Sequence, residues 1–188
     1  MGTVYVFLAN GFEEIEGLTQ VDLLRRAGLP VKTVGVGAAI IKGAHDIPVT
    51  ADVTGQGFTL PDDADMVVFP GGSVGTDNLL ASAMVAEVLA EAARRDIYIT
   101  AICAAPTVLH QAGLLAGKRV TAFPSYQSKL TGCTVTGGPV EVDGKIITAR
   151  SAGVALAFGH ALITALAGKA KADAEIASLY PQDGPVLG

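Results

Sequence analysis

Short apolar runs alternate with amphipathic stretches along the chain, and this pattern predicts alternating strands and helices. Residues 3–8, 31–36, 65–69 and 97–102 are apolar runs of strand length. The stretches 13–27 and 82–95 instead carry apolar residues at helical spacing, at Ile15, Leu18, Val21 and Leu24 and at Val85, Val88, Leu89 and Ala92. Residues 3–36 therefore form a predicted strand–helix–strand unit of the kind that builds parallel sheets.

The remaining segments complete this picture with two hairpins and further helices. Residues 40–41 and 47–50 predict a small hairpin at a sheet edge, where Pro48 is tolerated. Residues 119–123 predict another strand, and 139–142 and 145–149 predict a hairpin across Asp143-Gly144. A long helix over 155–166 ends at Gly168, and 169–179 adds one more. The prediction is an α/β fold with a single doubly wound, mostly parallel, flavodoxin-like sheet over residues 1–188 as one domain.

Composition limits the functions that this chain can have. Half of its 188 residues are hydrophobic, and the net charge is −5 without any block of Lys or Arg, so no nucleic-acid partner is expected. No apolar run reaches the ~18 residues that span a bilayer, and no basic segment precedes the first strand, so neither a membrane partner nor a signal peptide is expected. Two cysteines make no disulfide framework, which predicts a cytoplasmic protein with reduced thiols.

Cys103 stands at a predicted switch from strand to helix. The strand 97–102 ends directly before it, and Pro106 fits the first turn of the Ala-rich helix that follows. This is the arrangement of a nucleophile elbow, in which a sharp turn lifts the side chain to the carboxyl edge of the sheet. Helix dipole and free N–H groups predict a thiol pKa below the free value of about 8.5. The alternative is that Cys103 is simply a small buried apolar residue.

The loops after three predicted strands meet at that same sheet edge. They supply residues 10–16, 70–75 and 103–104, and the N–H groups of Gly72 and Ala104 can form a two-donor oxyanion hole. Glu16 is ambiguous, because an ionised carboxylate would repel a thiolate whereas a protonated carboxyl would donate a hydrogen bond to it. On the residues alone, a solvated carboxylate at a helix start is the preferred interpretation of Glu16.

Motifs for metals and cofactors are missing from the sequence. His45, His110 and His160 are widely spaced, with no HExxH or CxxC pattern, so no metal is predicted. Neither a Walker A sequence nor a helix-opening GxGxxG is present, so no cofactor is predicted. No histidine follows Cys103 directly, and Cys133 lies in a turn-rich stretch that suggests no function.

Three motifs in a fixed order carry a resemblance to a known family. They are NGFEEIE at 10–16 followed by VDLLRRAG at 21–28, VVFPGG at 67–72, and AICAAP at 101–106. With these, nearly the whole chain resembles the ThiJ/PfpI superfamily, specifically the branch that holds the Parkinson-associated protein deglycase and bacterial YajL-like proteins. The resemblance implies that Cys103 is a reactive, oxidation-prone nucleophile and that Glu16 is a protonated carboxyl bonded to it. It also implies that Gly72 and Ala104 supply the pocket amides.

The same resemblance implies two alternative functions. The first is cysteine-dependent, cofactor-independent detoxification of small reactive carbonyl compounds such as methylglyoxal and glyoxal, as a glyoxalase or deglycase. The second is a redox-responsive stress protein or chaperone that senses oxidation at Cys103. Members of the branch are usually homodimers, so a homodimer is expected here.

Two positions depart from the pattern of that family. The usual pocket histidine after the next strand falls at Phe123, and the basic residue that often approaches the cysteine from the dimer partner is replaced by His45. His45 and Tyr126 are the candidates for a substitute proton-transfer group. The protease branch has a histidine directly after its cysteine, and Ala104 at that position argues against peptidase activity.

Overall fold

The structure is a computed structural model that describes residues 2–180, so Met1 and residues 181–188 of the predicted domain lie outside it. Among the described residues, seven strands form one sheet in which only the edge strand β10 runs antiparallel to its neighbour. In spatial order the strands are β10 (Val140–Asp143), β11 (Ile146–Ala149), β7 (Tyr98–Ile102), β6 (Ala64–Phe69), β1 (Thr3–Ala9), β2 (Val31–Val36) and β5 (Val53–Thr54). This confirms the predicted α/β class with a mostly parallel sheet.

Helices and two minor sheets complete the described part of the chain. The helices are α1 (Glu14–Arg26), α2 (Ser73–Leu80), α3 (Ala83–Arg94), α4 (Pro106–Gln111), α5 (Pro124–Gln127), α6 (Ala155–Ala167) and α7 (Lys169–Ser178). The minor sheets pair β3 (Ile40–Lys42) with β4 (Pro48–Thr50), antiparallel, and β8 (Arg119–Val120) with β9 (Thr134–Val135), parallel. A single 3₁₀ turn, Ala152–Val154, precedes α6. No helix within residues 2–180 is both long and apolar enough to cross a membrane.

The central sheet is buried on both faces, which explains why its strands are continuous apolar runs. In β1, Tyr5 and Phe7 belong to the core under α3, whereas Val6 and Leu8 belong to the core under α1 and α6. On the α3 side, Phe7 stacks on Phe69 with ring centroids 5.0 Å apart. The two cores hold the neighbouring strands β1, β6 and β7 rigidly, and so fix the positions of the loops that follow them.

The structure corrects the sequence prediction at three places. The predicted strand 119–123 is limited to β8, which lies outside the main sheet, because the chain then turns so that the Phe123 N–H donates to the Cys103 carbonyl at 2.8 Å. The predicted hairpin at 40–50 forms its own sheet and does not extend the main one, whose edge is β5. Helix α2 was not predicted, because its sequence SVGTDNLL has few apolar residues at helical spacing.

Arg95, directly after α3, fastens the loop that leads into β6. Its guanidinium donates to the carbonyls of Leu60 at 3.4 Å, Pro61 at 2.8 Å, Asp62 at 2.8 Å and Ala64 at 3.2 Å. Hydrogen bonds from a charged donor contribute more to stability than neutral ones. The Arg95 side chain therefore holds much of this loop in place.

We expect Arg95→Met to lower the free energy of unfolding by about 1.5–3 kcal/mol, since several carbonyls lose a charged donor. Arg94→Met is the matched control, because within residues 2–180 the exposed Arg94 pairs only with Glu91, three residues earlier on the same helix. Such pairs contribute at most about 0.5 kcal/mol. Denaturant unfolding with circular dichroism measures both, and equal losses in the two variants would contradict the assigned role.

Candidate functional site

The site lies at the carboxyl ends of β1, β6 and β7, where the loops after β1 and β6 are hydrogen-bonded to each other and Cys103, after β7, packs against Gly71. The Glu13 N–H donates to the Gly71 carbonyl at 3.0 Å, and the Gly75 N–H donates to the Gly11 carbonyl at 3.0 Å. The Cys103 N–H donates to the Ala149 carbonyl at the end of β11, at 2.9 Å. These contacts bring together the loops that the sequence predicted to meet.

Cys103 follows β7 directly and has a left-handed backbone conformation, with φ of 66°. A non-glycine residue in this region stores roughly 1–3 kcal/mol of strain, which the surrounding structure has to hold. The turn aims the sulfur at the backbone N–H groups of Gly72 and Ala104, both of which lower the pKa of the thiol. The two predicted pocket amides therefore lie against the predicted nucleophile.

Glu16 is buried in the first turns of α1, only 1% exposed, and so it is not the solvated carboxylate that its position in the sequence favours. Its Oε2 accepts a hydrogen bond from the Gly71 N–H at 2.9 Å. Among the described residues its Oε1 has no hydrogen-bond partner of normal geometry, although the Cys103 side chain and the Ala152 N–H both lower its pKa. Burial outweighs them and raises the pKa of Glu16 to about 7.

An oxygen that is buried without a donor fits a protonated carboxyl. If Oε1 carries the proton, it no longer requires a donor and can itself donate to the Cys103 sulfur. The other oxygen, Oε2, is already satisfied by Gly71. The pattern of hydrogen bonds thus assigns different roles to the two oxygens of Glu16.

The predicted fall of the Cys103 pKa is wrong. Burial, followed by the charge and the hydrogen bond of Glu16, raises the pKa of the thiol to about 12. The N–H groups of Ala104 and Gly72 lower this pKa, but by less than burial and Glu16 raise it. Since the two groups are coupled, Glu16 ionises first, and the reactive form is the minor one in which Glu16 keeps the proton and the sulfur is the anion.

Gly71 allows the carboxyl and the thiol to approach each other. A Cβ at this position would lie 2.7 Å from Oε2 of Glu16, 2.8 Å from Cβ of Cys103 and 2.9 Å from the Ile102 carbonyl oxygen. Any other residue would therefore have to displace the pair. Glycine at position 71 therefore has a physical reason, the close packing of Glu16 against Cys103.

A cavity of about 620 Å³ opens over Cys103. Its lining combines carboxyl, hydroxyl and imidazole groups with short apolar side chains, and contains neither lysine nor arginine from the part of the chain that the structure describes. The lining residues are Glu13, Glu16, Ala44, His45, Gly72, Ser73, Cys103, Ala104, Phe123, Ser125, Tyr126, Ser151, Ala152 and Gly153. Such a cavity suits a small, uncharged, polar ligand.

The three other predicted pocket residues, His45, Phe123 and Tyr126, all line this cavity. His45 is bonded to Glu14, its Nδ1 lying 2.8 Å from Oε2 and its N–H donating to Oε1 at 2.8 Å. Burial alone would raise the pKa of Glu14, but these hydrogen bonds lower it overall, so Glu14 is ionised. Phe123, at the position of the histidine of the family pattern, is 41% exposed and offers no ionisable group.

Sequence reasoning missed two parts of the site. Glu14 has no role in the sequence-based prediction, yet it is 7% exposed and holds the turn that carries His45. The segment 151–153 also lines the cavity, because β11 lies beside β7 in the sheet. The sequence signal for this segment was the predicted hairpin at 139–149, because the loop after its second strand lies at the sheet edge that holds Cys103.

Glu13, Glu14 and His45 are the one set within residues 2–180 whose ligand atoms lie close enough to share a metal, all within 4.8 Å. Both oxygens of Glu14 are already occupied by His45. The set is therefore a hydrogen-bonded ion pair with a neighbouring carboxylate, and not an open ligand set. The absence of a metal and of a cofactor stays a prediction.

Comparisons with known proteins identify the family of this chain. The model of the DJ-1/PfpI family matches residues 2–165. The chain belongs to the DJ-1/PfpI family. It is 37% identical over 169 residues to Protein dj-1beta of Drosophila melanogaster, covering 88% of this chain and 90% of that protein. The crystal structure of the Drosophila protein has a TM-score of 0.90 over 95% of this chain and 97% of that one, at 34% identity.

Two further members of the DJ-1/PfpI family carry names that bear on chemistry. The chain is 29% identical over 189 residues to the glutathione-independent glyoxalase DJ-1 of Schizosaccharomyces pombe, covering 95% of this chain and 98% of that protein. A structure described as oxidized DJ-1 of Toxoplasma gondii has a TM-score of 0.89 at 31% identity, covering 95% of this chain and 98% of that one. The predicted resemblance to this family is thereby confirmed.

Proposed function

We propose that this protein is a cysteine-dependent, cofactor-independent enzyme that detoxifies methylglyoxal and glyoxal, of the glyoxalase or deglycase type. The observation that carries the proposal is the buried, unpartnered Oε1 of Glu16 beside Cys103, a thiol that also has two backbone amides against it. A similar protein from Schizosaccharomyces pombe is named a glutathione-independent glyoxalase, which supports the same chemistry.

The first step is attack of the Cys103 sulfur on the aldehyde carbon of methylglyoxal. A carbon–sulfur bond forms, and the electron pair of the carbonyl moves onto oxygen. The amides of Gly72 and Ala104 stabilise this oxyanion until it takes the proton from Glu16 and becomes a hemithioacetal, which leaves Glu16 as the carboxylate. Amides that already point at the sulfur are in place before the charge develops.

Glu16 then moves a proton between the two substrate carbons. Its carboxylate takes the proton from the former aldehyde carbon, giving an enediolate, and returns it to the neighbouring carbon while the hydroxyl proton passes from one oxygen to the other, giving a lactoyl thioester. A pKa of about 7 suits this exchange, because the group can both accept and donate near neutral pH. Water finally hydrolyses the thioester, so that methylglyoxal and water together become lactate.

The test is to supply purified protein with methylglyoxal and no thiol cofactor, and to measure lactate. We expect lactate from the unaltered protein and none above the uncatalysed rate from Cys103→Ala. Cys133→Ala is the matched control, since Cys133 lies outside the cavity and its thiol bonds the Leu130 carbonyl. Absence of lactate from the unaltered protein, or full activity without Cys103, would refute the proposal.

A second candidate function is a redox-responsive stress protein or chaperone. Its support is that a sulfur with two amides and a carboxyl donor around it can hold a sulfinate after oxidation. A similar structure from Toxoplasma gondii is described as oxidized. Oxidation at Cys103 would then change stability or the choice of partner.

We expect mild peroxide to add two oxygen atoms to Cys103 before Cys133. The reason is that both thiols have raised pKa values but Cys103 alone has a carboxyl and two amides to stabilise the product. Mass spectrometry of peptides measures this, and Glu16→Ala should weaken the preference. Oxidation of both cysteines at equal rates would count against redox sensing.

A homodimer is also proposed, in keeping with the family resemblance. Its support is a set of exposed apolar side chains on α1 and on the β3–β4 hairpin, namely Ile15 at 57%, Ile40 at 61% and Ile47 at 49% exposure. Exposed apolar side chains mark a contact surface where they form one contiguous patch. Sedimentation velocity should give twice the mass of the chain. A cytoplasmic location stays a prediction.

A further inference from the structure

Each turnover of the proposed reaction ends with an acyl group on the sulfur of Cys103, which water must remove. Water attacks a thioester efficiently only when a nearby base takes its proton. Glu13 and Glu16 line the cavity as carboxylates, and Glu16 is the base of the preceding proton transfer, whereas Phe123 offers no base. Hydroxyl groups such as that of Tyr126 are poor bases near neutral pH. The cavity also contains an imidazole, that of His45, which the mechanism has not yet used.

His45 has the surroundings of such a base. Glu14 holds the His45 backbone N–H and the ring Nδ1, each at 2.8 Å, and Glu14 is itself buried. The turn that carries His45 is fixed as well, because the Ala44 N–H donates to the Phe12 carbonyl at 2.8 Å and Gly43 leaves room for the Glu14 carboxylate. A carboxylate on Nδ1 selects the tautomer with the proton there and leaves Nε2 as the acceptor.

We propose that His45, oriented by Glu14, is the general base that activates the water for hydrolysis of the Cys103 thioester. His45 lines the cavity over Cys103, is 67% exposed, and has no partner on Nε2 among the described residues. Glu14 is a positioning residue, since it acts only through the imidazole. The inference rests on the proposed function for its thioester, but it concerns a separate step.

The step is balanced as follows. Nε2 of His45 takes a proton from water while the oxygen of that water forms a bond to the acyl carbon. The carbon–sulfur bond then breaks, and its electron pair returns to the sulfur of Cys103, which takes up a proton from solvent because Glu16 is a carboxylate at this stage. The acid leaves, and the imidazolium loses its proton to solvent. Nothing is oxidised or reduced, and no further reactant is needed.

The charges around His45 determine how this step depends on pH. The hydrogen bond that His45 donates to Glu14, followed by the charges of Glu13 and Glu14, raises the pKa of His45. Glu13 lies 3.7 Å from Nδ1, and Asp46 also acts on the ring, although Lys42 pairs with Asp46. From the rest of the cavity, Glu16, Cys103 and Tyr126 are the other titratable groups. Only neutral His45 can accept a proton, so deacylation should speed up as pH rises through its pKa.

The experiment isolates deacylation from aldehyde chemistry. p-Nitrophenyl acetate acetylates Cys103 and releases p-nitrophenolate, and mass spectrometry follows the loss of the acetyl group between pH 5 and 9. We expect His45→Gln to slow deacylation about 10²-fold or more and to flatten its pH profile. His45→Ala should regain part of the rate with added imidazole. Glu14→Gln should shift the profile to lower pH, because the raised pKa of His45 falls.

His160→Gln is the matched control, because His160 forms the same kind of pair with Asp173, at 2.8 Å, outside the cavity. It should deacylate like the unaltered protein. Unchanged deacylation in His45→Gln overturns the inference. A slow rate in His45→Ala that added imidazole does not restore also overturns it and makes His45 a structural residue. If the unaltered protein forms no lactate but its deacylation still depends on His45, only the glyoxalase proposal is refuted. A thiol that the ester never acylates refutes both.

Discussion

Glu16→Gln should lower the turnover of methylglyoxal by about 10²–10⁴-fold, the usual contribution of a general acid or base. The amide can still accept the hydrogen bond from the Gly71 N–H, so the geometry of the loop should persist. It can neither carry a proton to the substrate carbons nor donate an acidic hydrogen to the sulfur. Lactate formation measured over a range of methylglyoxal concentrations should therefore show a loss mainly in kcat.

The same variant should change how stability depends on pH. The pKa of Glu16 is about 7 in the folded protein against an ordinary 4.5, so the folded state binds this proton more tightly than the unfolded chain does. The resulting stability is fully present below about pH 4.5 and is lost as pH rises through 7. The loss amounts to roughly 3 kcal/mol, and Glu16→Gln should not show it.

Denaturant unfolding at pH 4.5, 6 and 8 measures this effect as a growing advantage of Glu16→Gln over the unaltered protein. Glu87→Gln, which replaces an exposed carboxylate on α3, is the control and should show no such trend. A Glu16→Gln variant with full turnover would remove Glu16 from the mechanism. A stability difference that does not depend on pH would show that its carboxyl titrates normally.

Gly71→Ala should both destabilise the protein, by about 1–3 kcal/mol, and lower turnover by about 10²-fold. Its methyl group would stand under 3 Å from the Glu16 carboxyl, the Cys103 Cβ and the Ile102 carbonyl oxygen. The last of these is backbone within the end of β7, and it cannot move aside easily. The carboxyl and the thiol must therefore separate, and proton transfer between them fails.

Gly138→Ala is the control, because a Cβ there meets only the ends of the Glu141 and Thr136 side chains, at 3.0 and 3.4 Å. It should change stability little and turnover not at all. Thermal unfolding and lactate formation measure both variants. Normal turnover in Gly71→Ala would mean that the close packing of Glu16 against Cys103 is not needed for the reaction.

Much of the fold could be predicted from the sequence, because strands buried on both faces and helices with one apolar stripe have distinct patterns. Strand β2 was predicted with its observed bounds, and Gly168 ends α6 as expected. Helix α2 and strand β5 were missed, since SVGTDNLL has few apolar positions and β5 has only two residues. The pattern of a sequence is informative where a whole face is buried, and less so where an element is short or polar.

The chemistry divides in the same way. Strand, cysteine and helix follow one another directly in the chain. The sequence by itself therefore determined that the Cys103 thiol follows a buried strand, and that Gly71 and Gly72 follow another strand of the same sheet. The ionisation of the site is not local. Only the tertiary structure decided that Glu16 is buried with one free oxygen and that burial raises the Cys103 pKa, against the expected fall. It also decided that Glu14 holds His45. A pKa depends on desolvation and on partners distant in sequence, and a linear pattern contains neither.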